Sequence, residues 1–389
     1  MDAASFAAPS SVDRLGRVGL LVGLVGAVVA AVGAFVDLDR FYTSYLVGFL
    51  WMAAVPVGSL ALLMLHHVTG GGWGFMVRRV LEASVRTLPL VALFFVPILL
   101  GLSRIFPWAD PEVVAQDPLI QHKAAYLNST AFLLRAVLFF AVWIGLGLLL
   151  DRMSHRQDRT GEPGLSNRMG ALSAPGLIAW CLMGTFAGVD WIMSLEPHWF
   201  SSIYGVYFFE SMALGALAFT VLMAVMLSRS APMAERFTKG HFHDYGNLML
   251  AFTMLWGYFT FSQLLIIWSG NLPEEVPWYL ERITGGWKAY TIALVVLHFA
   301  VPFLLLLTHA VKGRPQRLVF VAGLLLAMRY VDYFWQVMPP LHRTMPHWMD
   351  AAVLVGLGGL WLGFFSWQLK RRSLVPFNDP RFQETAIHG

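Results

Sequence analysis

Ten apolar runs separated by short polar segments set the pattern of this chain: 18–36, 42–66, 85–103, 130–150, 171–193, 201–228, 245–268, 289–311, 317–338 and 349–369. A helix needs roughly 20 apolar residues, at 1.5 Å each, to cross about 30 Å of hydrocarbon. Each run is therefore read as one crossing. The pattern predicts an all-α polytopic membrane protein of about ten transmembrane helices, with both ends on the same side. The run 18–36 follows Arg14 and Arg17 as a signal peptide would. It is longer than a secretory apolar core, and a second run follows almost at once, so a retained first helix is expected.

Charge gives the orientation. Segments on the side of the ends carry 19 Lys and Arg, counting Arg86 at its helix edge, and the opposite loops carry 6. By the positive-inside rule the termini of this inner-membrane protein are expected in the cytoplasm. The organisation expected is a cytoplasmic N-terminus over 1–17, a transmembrane domain over 18–369 and a cytoplasmic tail over 370–389, with no soluble domain. Two outer loops, 104–129 and 269–288, are long and carry proline, tryptophan and acids in IFPWADPEVV and LPEEVPWYLER. They are read either as solvated loops with aromatic anchors or as contacts for an extramembrane partner.

Composition sharpens this. With 57% hydrophobic and 13% charged residues and a mean hydropathy of +0.63, a water-soluble fold is excluded. The net charge of +4 is spread over short loops, so nucleic acid is not an expected partner; the lipid bilayer is. The single cysteine, Cys181, sits in an apolar run. No disulfide framework, CxxCH haem attachment or cysteine set for an iron–sulfur cluster exists here, so no cofactor of those kinds is expected on this chain.

Ionisable groups at depth cost at least a few kcal/mol each unless paired or watered, so they carry the candidate chemistry. Counting along the runs puts Glu210 roughly 14 Å from the outer edge, His298 at about the same depth, Arg329 roughly 18 Å from the inner edge and Asp332 about 4 to 5 Å further out. Arg329 and Asp332 are three apart and can pair on one helix face. Glu210 has no partner within its own span and must find one elsewhere or carry a proton. At the inner mouth of the seventh span, HFHDYGN offers His241, His243, Asp244 and Tyr245. At the outer side, VDWIMSLEPHWF offers Asp190, Glu196 and His198. The track Glu210, Asp332, Arg329, His298, His243, Asp244 and Asp190 outlines a proton pathway, with a structural salt bridge, a core histidine and a solvated helix start as the plain alternatives. His241 and His243 would diverge on a helix, and His66 and His67 are adjacent, so no metal site is expected.

Within spans five to nine, SLEPHWFSSIYGVYFF (194–209), HFHDYGNLMLAFTMLWGYFTFSQLLIIW (241–268), NLPEEVPWYLER (271–282) and RYVDYFWQVMPP (329–340) resemble the ActF family. These are membrane subunits of alternative complex III, a bacterial quinol:cytochrome c or other acceptor oxidoreductase, within the broader NrfD/PsrC-like group. The resemblance covers about 170–345 by motif order and spacing; the first four spans fit by hydropathy. It implies two four-helix bundles, 42–193 and 201–338, with 18–36 and 349–369 peripheral. It also implies a larger NrfD-like paralogue, a multihaem cytochrome c and an iron–sulfur subunit as partners, which carry the haem c and the clusters. This chain is then expected to be a non-redox subunit that supports assembly and conducts protons, and not to be catalytic by itself. A direct quinol-binding role is the next reading, with Asp190, His198, Trp199 and Gln263 as the candidate pocket. A stand-alone secondary transporter is the rival of another class, but Pro89, Pro97, Pro175 and Pro302 do not recur at matching places in two halves.

Overall fold

With no water to satisfy backbone amides inside a bilayer, an apolar run closes its hydrogen bonds within itself as a helix. The computed structural model describes residues 6–341 and 345–382. The remaining parts of the expected terminal segments, 1–5 and 383–389, lie outside the described residues. Among the described residues ten helices are long and apolar enough to cross a membrane: α1 (Ser10–Val36), α2 (Leu38–Thr69), α3 (Arg78–Leu100), α4 (Ser129–Thr160), α5 (Gly164–Leu195), α6 (Tyr204–Leu227), α7 (Lys239–Gly270), α8 (Trp287–Leu307), α9 (Pro315–Val337) and α10 (Trp348–Lys370). No strand occurs among the described residues. The chain is an all-α, multi-pass membrane protein.

Helices α2 and α6 form the centre, with 94% and 89% of their apolar windows buried, and they pack against each other. Their backbones nearly touch at Gly58, where a Cβ would lie 2.1 Å from the carbonyl oxygen of Met212. Lipid tails are as apolar as leucine, so close approach through small residues is what holds membrane helices together. Helices α3, α4 and α5 stand on the α2 side, and α7, α8 and α9 on the α6 side; α9 also touches α2.

Helix α1 lies along α10, and α10 in turn packs on α2. GLLVGLVG in α1 meets GLGG in α10. A Cβ at Gly23 would sit 2.3 Å from the amide nitrogen of Leu360, and one at Gly359 would sit 2.6 Å from the carbonyl oxygen of Gly19. Gly23→Leu should therefore force α1 off α10. The expected result is protease sensitivity at the N-terminal helix with the other helices intact, and a melting curve unchanged from wild type would refute this contact as the one that seats α1.

Several helices run past the apolar runs on the side of the termini. Helix α3 begins at Arg78 rather than 85, α4 continues to Thr160, and α7 begins at Lys239. Pairing explains the first case: Arg78 Nε donates to Glu82 one turn on, at 2.9 Å, with both side chains buried. A glycine in the left-handed region, Gly161 (φ 63°), ends α4. The described segments nearest the two ends lie on one face, where Leu374 N–H bonds the Phe6 carbonyl at 2.9 Å and Lys370 pairs with Asp13. We call this the terminal face.

On the opposite face the long loops are partly helical. Asp110 and Asp117 each precede a proline and cap a short helix, Pro111–Gln116 and Pro118–His122, by accepting from backbone N–H groups. Another short helix, Val276–Ile283, lies between α7 and α8.

Candidate functional site

On α6, Tyr204, Tyr207 and Glu210 recur every three residues and share a face. On α9, Arg329, Asp332 and Gln336, spaced by three and four residues, also share a face. The two helices pack together, so the polar faces meet inside an apolar core. Arg329 Nη2 pairs with Asp332. The same carboxylate accepts from the Tyr207 hydroxyl at 2.7 and 2.8 Å and from the Gln336 amide at 2.7 Å. Tyr204 donates to the Gln336 side-chain oxygen at 2.6 Å.

From there the bonds run to the opposite face. The Gln336 carbonyl accepts from Arg282 at 2.9 Å, and Arg282 also binds Glu196 at 2.6 Å and the Trp278 carbonyl at 3.0 Å. Its guanidinium lies 3.8 Å from the Trp278 ring centroid. A loop arginine is thus folded inward until it is fully buried, between the membrane network and an acid whose side chain keeps 21% exposure. Burial pushes the Glu196 carboxyl above the usual carboxylate range, against the opposing pull of Arg282.

Toward the terminal face, Glu210 and His298 flank the pair. Both are buried, and neither the Glu210 carboxylate nor the His298 ring nitrogens have a hydrogen-bond partner among the described residues. Arg329 acts electrostatically on both, and its own Nε and Nη1 are unpartnered there too. The structure therefore gathers the four depth-predicted residues around one guanidinium. His298 meets the Trp256 ring at 4.3 Å in a tilted contact and lies in a π-helical stretch of α8, Leu294–Ala300. Pro302 has no N–H to offer the His298 carbonyl four residues back, which accounts for the widened turn.

At the terminal face His243 Nε2 meets His309 Nδ1 at 2.9 Å, the rings stacked at 4.9 Å. Asn247 joins them, bonded to His243 at 3.2 Å and to Lys312 Nζ at 2.7 Å. His241 closes the capping box of α7 with Thr238. Asp244 is exposed and lies outside this cluster.

Asp190 stands apart from the track. Its Oδ2 accepts from Arg135 Nε at 2.7 Å, so it belongs with α4 and α5. Expected at the outer side of the track, Asp190 is instead answered by an arginine of α4. The four candidate quinone residues also separate. His198 is on the surface, bonded at 2.6 Å to Asp117, which that bond holds below the usual carboxylate range. Trp199 stacks on Trp278 at 4.6 Å. Gln263 bonds Ser201 at 3.2 Å and Tyr279 at 3.3 Å. No single slot contains all four.

Reasoning from sequence missed Tyr204, Tyr207, Gln336 and Arg282, and it missed an ionic cluster at the terminal face. There Arg78, Arg79 and Glu82 are buried together with Ser154 and with Asp379 of the tail. The three-residue spacing of Tyr204, Tyr207 and Glu210 was the available signal for the first set. No group of three or more His, Cys, Asp or Glu able to hold a metal occurs among the described residues. No model of a known protein family matches the chain, and no curated protein matches it.

Proposed function

We propose that the chain is a non-redox membrane subunit of a quinol-oxidising respiratory complex of the alternative complex III type, inserted in a bacterial inner membrane with the terminal face in the cytoplasm. In this reading the larger paralogue, the multihaem cytochrome c and the iron–sulfur subunit hold the redox groups, and this chain supplies support and a proton path. The observation that carries the proton role is the buried side-chain network of Arg329, Asp332, Tyr207, Gln336 and Tyr204, extended toward the opposite face by Arg282, which bonds the Gln336 main-chain carbonyl and Glu196. Chains of this kind build proton relays in pumps and transporters.

The roles follow from chemistry. Asp332 and Glu196 are the carboxylates at the two ends of the bonded series and can exchange protons. The Tyr207 and Tyr204 hydroxyls both donate and accept, and Gln336 holds them in line. Arg329 and Arg282 keep their protons and act as fixed charges. Glu210 is the carboxylate between the series and the terminal face, and the His243–His309 pair is the imidazole pair bonded to each other at that face. Among the described residues no hydrogen-bonded chain links His309 to His298, so uptake on the terminal side needs a rearrangement.

Glu210→Gln in the native assembly tests the role directly. Proton release per electron should fall while quinol oxidation with an uncoupler persists; unchanged coupling would remove Glu210 from the path. A purification in mild detergent tests the assembly separately. Partners carrying c-type haem should co-purify, whereas a stand-alone transporter would come out without them.

A further inference from the structure

Helix α1 packs along α10 and touches α2, but no comparable contact joins it to α6. The wedge left between them is a cavity of about 540 Å³ lined by α1, α2, α6, α9 and α10. Val22 and Val355 are shared with a second cavity, of about 480 Å³, further along the α1–α10 seam toward the opposite face. Leu15, Val18 and Met226 are shared with a third, of about 710 Å³, at the terminal face. The three form one continuous groove beside α1.

Its chemistry changes along its length. Below the terminal face α1 lines it with Leu15, Val18, Val22, Val25 and Val29, which recur every three or four residues and share one helix face. Val18 and Val22 are 53% and 48% exposed, so the groove is open to acyl chains from the side. From Leu15 to Val29 it runs roughly 21 Å at 1.5 Å per residue, enough for the ~15 Å of hydrocarbon in one leaflet. The end at the terminal face is instead bordered by Ser10, Arg14 and Arg17, all three exposed. Neither arginine has an ion pair or hydrogen bond among the described residues, and Asp13, the acid in the first turn of α1, is taken by Lys370. Both arginines immediately precede the apolar run, at the level of lipid head groups. Arginines that served orientation alone would need no cavity beside them.

We propose that this groove is a binding site for one anionic diacyl phospholipid, with its phosphate at Arg14 and Arg17 and one acyl chain along the valine face of α1. Basic pockets between membrane helices bind anionic head groups by this chemistry. A free phosphate would leave the apolar length of the groove empty, and a zwitterionic lipid would bring its own cation to a site that already holds two. The bound lipid fills the wedge between α1 and the α2–α6 centre. The site needs neither the proton path nor a partner subunit, so it stands apart from the function proposed above.

The full chain would be delipidated by detergent exchange and titrated with phosphatidylglycerol or with phosphatidylcholine of the same acyl chains, and native mass spectrometry would count the lipids bound. One saturating phosphatidylglycerol is expected, held about tenfold more tightly than phosphatidylcholine. Arg14→Gln combined with Arg17→Gln should erase that preference and leave phosphatidylcholine binding as it was. Val22→Phe, which fills the groove where two of the cavities meet, should weaken phosphatidylglycerol about tenfold with both arginines in place. Val18→Phe repeats the groove test should Val22→Phe fail to fold. Glycerophosphoglycerol, the same head group without chains, should not displace the lipid; displacement at equal concentration would mean a site for a soluble anion and would overturn the proposal. So would a ladder of adducts that never saturates, equal affinity for the two lipids, or a preference that survives the loss of both arginines.

Discussion

Asp332→Leu is expected to lower the stability of the folded chain by about 3–5 kcal/mol, the cost of leaving a buried charge without its partner. Arg329 and Asp332 are 1% and 0% exposed, and the carboxylate also accepts from Tyr207 and Gln336. The substitution leaves the Arg329 guanidinium and the Tyr207 hydroxyl proton without their acceptor in a medium that offers no replacement, and the Gln336 amide keeps only its longer bonds to Tyr207 and the residue-332 carbonyl. Asp332→Asn should be milder, because its carbonyl oxygen still accepts from Tyr207 while the charge facing Arg329 is gone. The double change Arg329→Met with Asp332→Leu should recover most of the loss, since matched apolar residues avoid desolvation of both ions. Unfolding in mild detergent or bicelles, followed by helicity, reads all three variants. A double variant no more stable than Asp332→Leu would mean that the ion pair is not what the single change removes.

What could be read beforehand and what could not divide along a physical line. Depth is a one-dimensional property: a fixed rise per residue converts position in a run into distance from a membrane face. Glu210, His298, Arg329 and Asp332 could therefore be placed together without knowing any contact. Azimuth is not given that way. Asp190 and Arg135 face each other on α5 and α4, and nothing in their runs distinguishes that from facing the second half. Tyr207 and Tyr204 were lost among 29 Phe, 15 Trp and 11 Tyr, residues that lipid and packing positions take by default.

Loops that fold inward were the other blind spot. Arg282 counted as a solvated loop charge until the short helix Val276–Ile283 carried it against Trp278 and Gln336. The π-helical turn at His298 was legible in principle from Pro302, since a proline inside a crossing deprives one carbonyl of its donor.

The same blind spot hid the terminal-face cluster, where the second large effect is expected. Glu82 receives Arg78 at 2.9 Å, Arg79 at 2.6 Å and the Ser154 hydroxyl at 2.7 Å, with Arg372 of the tail at 3.9 Å. Arg78 reaches on to Asp379 at 2.7 Å, and Ser166 bonds the same carboxylate at 3.1 Å. The tail segment is thus held by charge against α3, α4 and α5, with Leu374 and Val375 buried beneath it. Glu82→Leu leaves three arginines facing one another, and Asp158 and Asp379 each engage only one of the two on α3. A loss of about 3–5 kcal/mol is expected, together with release of the tail. Asp379→Asn should release the tail but keep the Arg78–Glu82–Arg79 core, so the two effects separate. Limited trypsin digestion reads the first, by cleavage at Arg372, and thermal unfolding reads the second. Rapid trimming of the wild-type tail, or a Glu82→Leu chain that melts with the wild type, would show that the face is held by apolar packing and that the ions are bystanders.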